Sequence, residues 1–253
     1  MQYLPGKICF MFFGLVIFMV IALSGCRSET HANQKSGIAA AKIENSQLTY
    51  TLPSPKTKGN VSVEDALANR RSRREFQNRE LSAEQLSQIL WAAYGITLPI
   101  NNPLLRGGLR TAPSAGALYP LEIYAVVGNV EGIEAGVYKY ISQEHKIIRT
   151  IDRDVREELS AAALNQVMIR DASVTVVYAA VFSRVVERYG QRGVERYVFM
   201  EIGHSAQNIY LQAEALGLST CAIAAFTDGR VSELLRLPEE ESPLYLMPTG
   251  YFN

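Results

Sequence analysis

Arg70-Arg71-Ser72-Arg73-Arg74 is the densest run of chemically capable side chains in the sequence. Four guanidinium groups and a hydroxyl in so short a stretch can grip a phosphate through paired, charge-assisted hydrogen bonds. The same composition also describes a solvated basic patch, and the residues alone leave both readings open. Phe76, two positions on, argues against a wholly exposed run. A second segment, RTAPSAGALYP at 110–120, combines small residues that let backbone approach a flat ligand with two prolines that stiffen it. By itself this is only a Pro/Gly-rich loop. His204 and Cys221 suggest a base and a nucleophile. However, His204 falls inside a helical pattern and Cys221 opens an apolar run, so both read as packed structural residues. His31, His145 and His204 have no close carboxylate pairing, and no metal site is expected.

These residues must be positioned by elements that the periodicity outlines. Ser62 with Asp65 marks a helix start, and Ser82 with Gln85 forms a capping box. Behind that box, Leu86, Ile89, Leu90 and Ala93 follow helical spacing up to Gly95. Residues 99–116 read as an ordered loop. Glu122–Val127 and Val174–Phe182 are β-rich apolar runs, the second long enough for a central strand. A long helix is expected from Val194 to Leu216, with Phe199, Ile202, Ala206, Ile209, Ala213 and Leu216 on a broad apolar face. Cys221–Phe226 and Leu244–Met247 supply further strands. Long helices interleaved with separated strands predict an α+β sandwich rather than regular βαβ winding.

The chain of 253 residues balances 25 basic against 25 acidic side chains, so no net charge draws it to nucleic acid. Three scattered cysteines exclude a disulfide framework. At the N-terminus, Lys7, an uncharged apolar run to Ala22 and then Leu23-Ser24-Gly25-Cys26 resemble a bacterial lipoprotein signal. Residues 1–25 are accordingly expected to be removed and Cys26 acylated, tying an exported protein to the cell envelope membrane. A plain transmembrane anchor is the other reading of the same run. Residues 26–60 are polar, contain Pro53 and Pro55, and read as a flexible tether. The domain is expected to span 61–253.

Six segments in order carry a resemblance: RRSRREF (70–76), RTAPSAGALYPLEIY (110–124), GVYKY (136–140), ERYVFMEIGHSAQNIYLQAEALGL (195–218), AIAAF (222–226) and LMPTGY (246–251). Together they resemble the nitroreductase-like superfamily, in its SagB/ThcOx-type dehydrogenase branch, over roughly residues 61–251. The resemblance implies a central, mainly antiparallel sheet flanked by helices, assembled as an intertwined homodimer that binds flavin mononucleotide (FMN). It points to Arg70, Arg71, Ser72 and Arg74 for the FMN phosphate and ribityl chain. Pro113, Ser114, Ala115, Gly116 and Leu118 would lie against the ring, and a backbone N–H of Ala224 or Ala225 would face flavin N5. Where azoline-oxidising members carry a Lys-Tyr acid/base pair, this sequence has Arg188-Tyr189. Arginine keeps its proton, so Arg188 can stabilise negative charge but cannot serve as a general base. The family's basic residue near the C-terminus has no match in Tyr251-Phe252-Asn253, which shifts phosphate charge onto Arg70–Arg74.

The function this implies is an FMN-dependent oxidoreductase passing hydride or electrons through bound flavin in a ping-pong cycle. The alternatives are a peptide-tailoring azoline dehydrogenase and a non-catalytic surface protein that uses the fold for binding. Export would make NAD(P)H scarce, leaving a quinol, a redox-partner protein or an organic substrate as donor.

Overall fold

The computed structural model describes residues 39–44 and 47–252. The expected signal segment and Cys26 lie outside the described residues. The architecture grows from β8 (Val174–Val181), whose sequence VTVVYAAV is buried along its whole length. A strand with no solvated face must lie inside a sheet. β8 is flanked by β5 (Leu121–Val127) and β10 (Glu241–Gly250). Outward from β5 come β6 (Gly136–Ile141), β7 (Lys146–Ile151), β2 (Gln47–Thr51) and β1 (Ala40–Glu44); beyond β10 lies β9 (Ser219–Thr220). Every neighbouring pair in this eight-stranded sheet is antiparallel.

Strand alternation divides the core between the two faces. Ile123, Ala125 and Val127 join Val174, Val176 and Tyr178 in one cluster, with Leu86, Ile89, Leu90, Ile202 and Ile209 packed on them. Those last residues come from α2 (Ala83–Tyr94) and α6 (Val198–Ala215). Tyr124, Val126, Val177 and Ala179 face the other cluster, covered by Leu159, Ile169, Val231 and Leu235. Those come from α3 (Arg156–Ala162), α4 (Val167–Asp171) and α7 (Asp228–Leu235). Each fully buried Leu or Ile contributes about 1.5–3 kcal/mol by leaving water. Helices on both faces of an antiparallel sheet make the α+β sandwich expected from the sequence.

The local signals around α2 hold. Gln85 donates its backbone N–H to Ser82 Oγ at 3.2 Å, and Ser82 N–H reaches Gln85 Oε1 at 3.0 Å. Gly95 ends the helix in an extended conformation, and a Cβ there would lie 2.2 Å from the Trp91 ring. Close approach, rather than a left-handed turn, thus requires glycine. Ser62 likewise caps α1 (Val63–Asn69) by accepting from Asp65 N–H at 3.0 Å.

Three expectations are corrected. The supposed tether, residues 26–60, contains β1 and β2, and Tyr50 is buried edge-on against Tyr138 with ring centroids 5.8 Å apart. Order continues beyond the strand: Ser87 Oγ donates to Pro53 O at 2.5 Å, and Lys56 N–H reaches Gln88 Oε1 at 2.8 Å. Pro53 and Pro55 therefore follow the strand in a segment without regular structure that is nonetheless tied to α2. The long helix is present as expected, a π-type turn, Gly193–Tyr197, running straight into α6, and it is preceded by α5 (Ser183–Arg192), which breaks at Gly190. Phe199 is half exposed instead of packed. Cys221–Phe226 is not a strand; after β9 only Ile223 bridges back, to Leu246.

Candidate functional site

The basic run lies along the outer edge of β9. Ser72 forms a parallel bridge with Thr220, and Arg73 N–H donates to Thr220 O at 3.2 Å. Arg73 is engaged structurally: its guanidinium meets Glu214 at 3.1 Å and Ser219 Oγ at 3.3 Å, and lies 4.3 Å from the centre of the Phe252 ring. Arg70 packs over the Tyr210 ring at 5.1 Å, and Arg71 donates to Ala68 O and Arg70 O at 3.0 and 2.8 Å. Arg74 is exposed. Among the described residues, no carboxylate forms an ion pair with Arg70, Arg71 or Arg74.

Tyr210, unremarked in the sequence, is the node of this region. Its hydroxyl shares a hydrogen bond with Ser72 Oγ at 2.9 Å and accepts the Ala222 N–H at 2.8 Å. One side chain on α6 thereby ties the basic run to the segment leading to Ala224 and Ala225. Both alanines are exposed, with Ala225 O held by Gln166 Nε2 at 2.9 Å.

The 110–120 segment is tightly wound. Gly116, Ala117 and Tyr119 all have φ near +50 to +60°, at 62°, 54° and 47°. For the two non-glycine residues this conformation costs of order 1 kcal/mol or more each. Ser114 Oγ accepts the Tyr119 N–H at 2.9 Å and closes the turn. Pro113 and Gly116 are exposed, and Ala115 and Leu118 are half-buried. A Cβ on Gly116 would lie 2.7 Å from Tyr189 Oη and 3.1 Å from Arg188 Nη1. So α5 brings Arg188 and Tyr189 directly against this loop, as two turns of sequence alone could not reveal.

Beneath the loop lies a polar seam on α6. Glu201 is almost wholly buried, accepts the Tyr94 hydroxyl, and is also bonded by the Ser114 hydroxyl. Burial pushes its carboxyl up to about 7, opposed by the Ser114 and Tyr94 hydrogen bonds and by the Arg110 charge. Ser205 Oγ donates to Ala93 O at 2.5 Å, Asn208 Nδ2 to Thr111 O at 3.2 Å, and Gln212 Oε1 accepts from Gln88 at 3.0 Å. The spacing 201, 205, 208, 212 puts all four on one helix face, a pattern that was available in the sequence. His204 is exposed on α6, contrary to the packed role expected of it. Cys221 is buried as expected, and burial raises its thiol pKa, leaving it unreactive.

The chain matches the Nitroreductase family over residues 67–251. It is 47% identical over 190 residues to MJ1384 of Methanocaldococcus jannaschii, which carries a nitroreductase name; the match covers 75% of this chain and 91% of that one. The Microcin B17-processing protein McbC of Escherichia coli is 30% identical over 152 residues, which are 57% of this chain and 55% of McbC. A solved nitroreductase-type structure from Ralstonia eutropha superposes with a TM-score of 0.67 at 26% identity, covering 85% of this chain and 95% of that one. The chain belongs to the nitroreductase family and is an oxidoreductase by that membership.

Proposed function

We propose that the protein is an FMN-dependent oxidoreductase that works by a ping-pong cycle, a donor and an acceptor using one pocket in turn. The observation that carries this reading is the Tyr210 hydroxyl, which joins Ser72 to the Ala222 N–H and so gathers the proposed phosphate and ring segments around one side chain. The donor set suits a phosphate: Arg70, Arg71 and Arg74 form no ion pair with a described carboxylate, while Arg73 is spent on Glu214. The loop suits a flat ring, since Pro113 and Gly116 are both exposed on it, while the absent Cβ of Gly116 makes room for Tyr189 and Arg188. When bound, FMN supplies a two-electron hydride carrier, which leaves the protein to orient and to place charge.

In this reading Arg70, Arg71, Ser72 and Arg74 hold the phosphate and ribityl end. Pro113, Ser114, Ala115, Gly116 and Leu118 support the ring, and the N–H of Ala224 or Ala225 faces its N5. Arg188 is a permanent cation beside the loop, suited to stabilising negative charge; Tyr189 is the adjacent hydroxyl. We further infer a homodimer, supported by exposed apolar Val186, Phe199 and Met200 on α5 and α6. Acylation at Cys26 would hold it on the cell envelope, with a quinol, a partner protein or an organic substrate as donor. A second reading, azoline dehydrogenation of a peptide, is favoured by the similarity to McbC and disfavoured by Arg188 standing where a lysine is used.

Titration with two flavins tests the cofactor assignment. Each charged hydrogen bond contributes roughly 1.5–3 kcal/mol. Replacing Arg70 and Arg74 together by alanine is therefore expected to weaken FMN binding on the order of a hundredfold or more. Riboflavin, which lacks the phosphate, should bind nearly as before. Equal FMN affinity in parent and double variant would reduce these arginines to a solvated patch.

A further inference from the structure

A cavity of about 340 Å³ opens where Arg106 and Arg110 meet the sheet, walled by Tyr94, Leu121, Ile123 and Tyr140. It lies at the foot of the hairpin of β3 (Ile96–Pro99) and β4 (Gly108–Arg110) and uses none of the residues assigned to FMN. Its volume falls within the range of small-molecule sites, about 300–1,000 Å³. We propose that this cavity binds a small organic carboxylate, with the anionic head held by Arg110 and Arg106 and the apolar body against Tyr140, Leu121 and Ile123.

The protein leaves positive charge unbalanced at this cavity. Arg110 sits between two aromatic rings, 4.2 Å from the centre of Tyr94 and 4.7 Å from that of Tyr119. Its terminal nitrogens reach only backbone, Tyr94 O at 3.4 Å and Arg106 O at 3.3 Å, and its Nε has no hydrogen-bond partner. It forms no ion pair with a carboxylate among the described residues. Arg106 is held in a left-handed conformation with φ 49°, makes one ion pair, to Glu122 at 3.0 Å, and also has an unpartnered Nε.

Glu122 cannot neutralise both arginines, because it already accepts Arg184 at 2.5 Å and Lys139 at 3.2 Å. Lys139 is shared with Glu241 at 2.6 Å, and Glu144 at the rim is paired with Lys146 at 2.8 Å. Around the cavity, then, Arg106, Arg110, Arg184 and Lys139 face Glu122 and Glu241; the further carboxyl near Arg110 is Glu201, which is hydrogen-bonded to Tyr94 and Ser114 and pushed toward its neutral form by burial. Burial and mutual repulsion both press on this group: the Arg106 pKa is lowered by desolvation and then by the Arg184 charge. Half-buried cations without counterions are costly, and an entering anion relieves that cost. A carboxylate matches the guanidinium fork, and Ser142 and Gln143 offer further polar contact at the wall. A neutral amide of the same shape offers no charge to pair.

Calorimetric titration of the purified full-length protein with benzoate, and with benzamide as its uncharged counterpart, tests this directly. Benzoate should bind saturably and benzamide about tenfold more weakly or worse, and Arg106→Gln and Arg110→Gln should each cost benzoate about tenfold or more in affinity. Arg110 packs between two tyrosines, so its variant could fail to fold; Arg106 is half-buried in the β3–β4 turn and stacks on no aromatic ring, and its variant keeps the test decisive. The heat of binding requires no flavin, so failure of the FMN assignment leaves this result readable. The proposal is overturned by absence of saturable benzoate binding, by equal affinity for benzoate and benzamide, or by unchanged affinity in Arg106→Gln. Benzoate binding that perturbs flavin absorbance and survives Arg106→Gln would place the acid in the flavin pocket and equally overturn it.

Discussion

Glu201 is the ionisable residue most at odds with its surroundings, a carboxyl buried on a core helix between Tyr94, Ser114 and the Arg110 charge. Because its folded pKa, about 7, is raised above the unfolded value, the folded state keeps a proton that the unfolded chain has lost. The resulting stabilisation is complete below the unfolded pKa and disappears as pH rises through about 7. Over that window the group should remove up to about 3 kcal/mol of unfolding free energy. Glu201→Gln is expected to flatten this part of the profile, checked by urea unfolding of both proteins at mildly acid and mildly alkaline pH. Parallel profiles would mean that Glu201 is ionised throughout. The sequence displayed the run Glu201, Ser205, Asn208, Gln212 openly, but apolar periodicity drew attention to the opposite set and to His204. What makes the polar set meaningful is supplied by Tyr94, Ala93, Thr111 and Gln88, all about ninety residues or more away. Arg70–Arg74 show the opposite case. Their types announced phosphate chemistry, whereas the sorting of Arg73 to Glu214 needed the fold.

Elements with local signals were readable and those with distant partners were not. The capping box at Ser82 and Gln85 and the unbroken apolar run of β8 identify themselves, because each depends on neighbours a few residues away. The β1–β2 hairpin does not. Its sequence is short and polar, and its order comes from β7, from His145 O accepting the Leu52 N–H at 3.1 Å, and from α2. Likewise α5 reads as a charged segment since only Val185 is buried along it. Tyr50→Ala removes an aromatic ring from the core, and should lower unfolding free energy by roughly 3 kcal/mol, the low end for aromatic truncation. Thermal denaturation checks it, and an unchanged transition would return residues 47–51 to the status of a linker.

At the scale of the whole molecule, one antiparallel sheet with a helical layer on each face carries the basic run against Tyr210 and the 110–120 loop against α5. This is the α+β sandwich that the order of motifs implied, while the meeting of Gly116 with Arg188 and Tyr189 joins segments some seventy residues apart and needed the fold. On full-length protein, light scattering is expected to give a dimer mass, and intact-mass analysis a lipid increment on Cys26; a flavin-loaded monomer, or an unmodified uncleaved chain, would remove the corresponding proposal. The central claim is that the chain carries FMN, and the visible absorbance of the purified full-length protein tests it most directly. The expected result is a yellow preparation that bleaches with dithionite, recovers in air, and releases FMN stoichiometric with the chain on denaturation. A colourless protein that takes up no FMN on reconstitution would contradict the account.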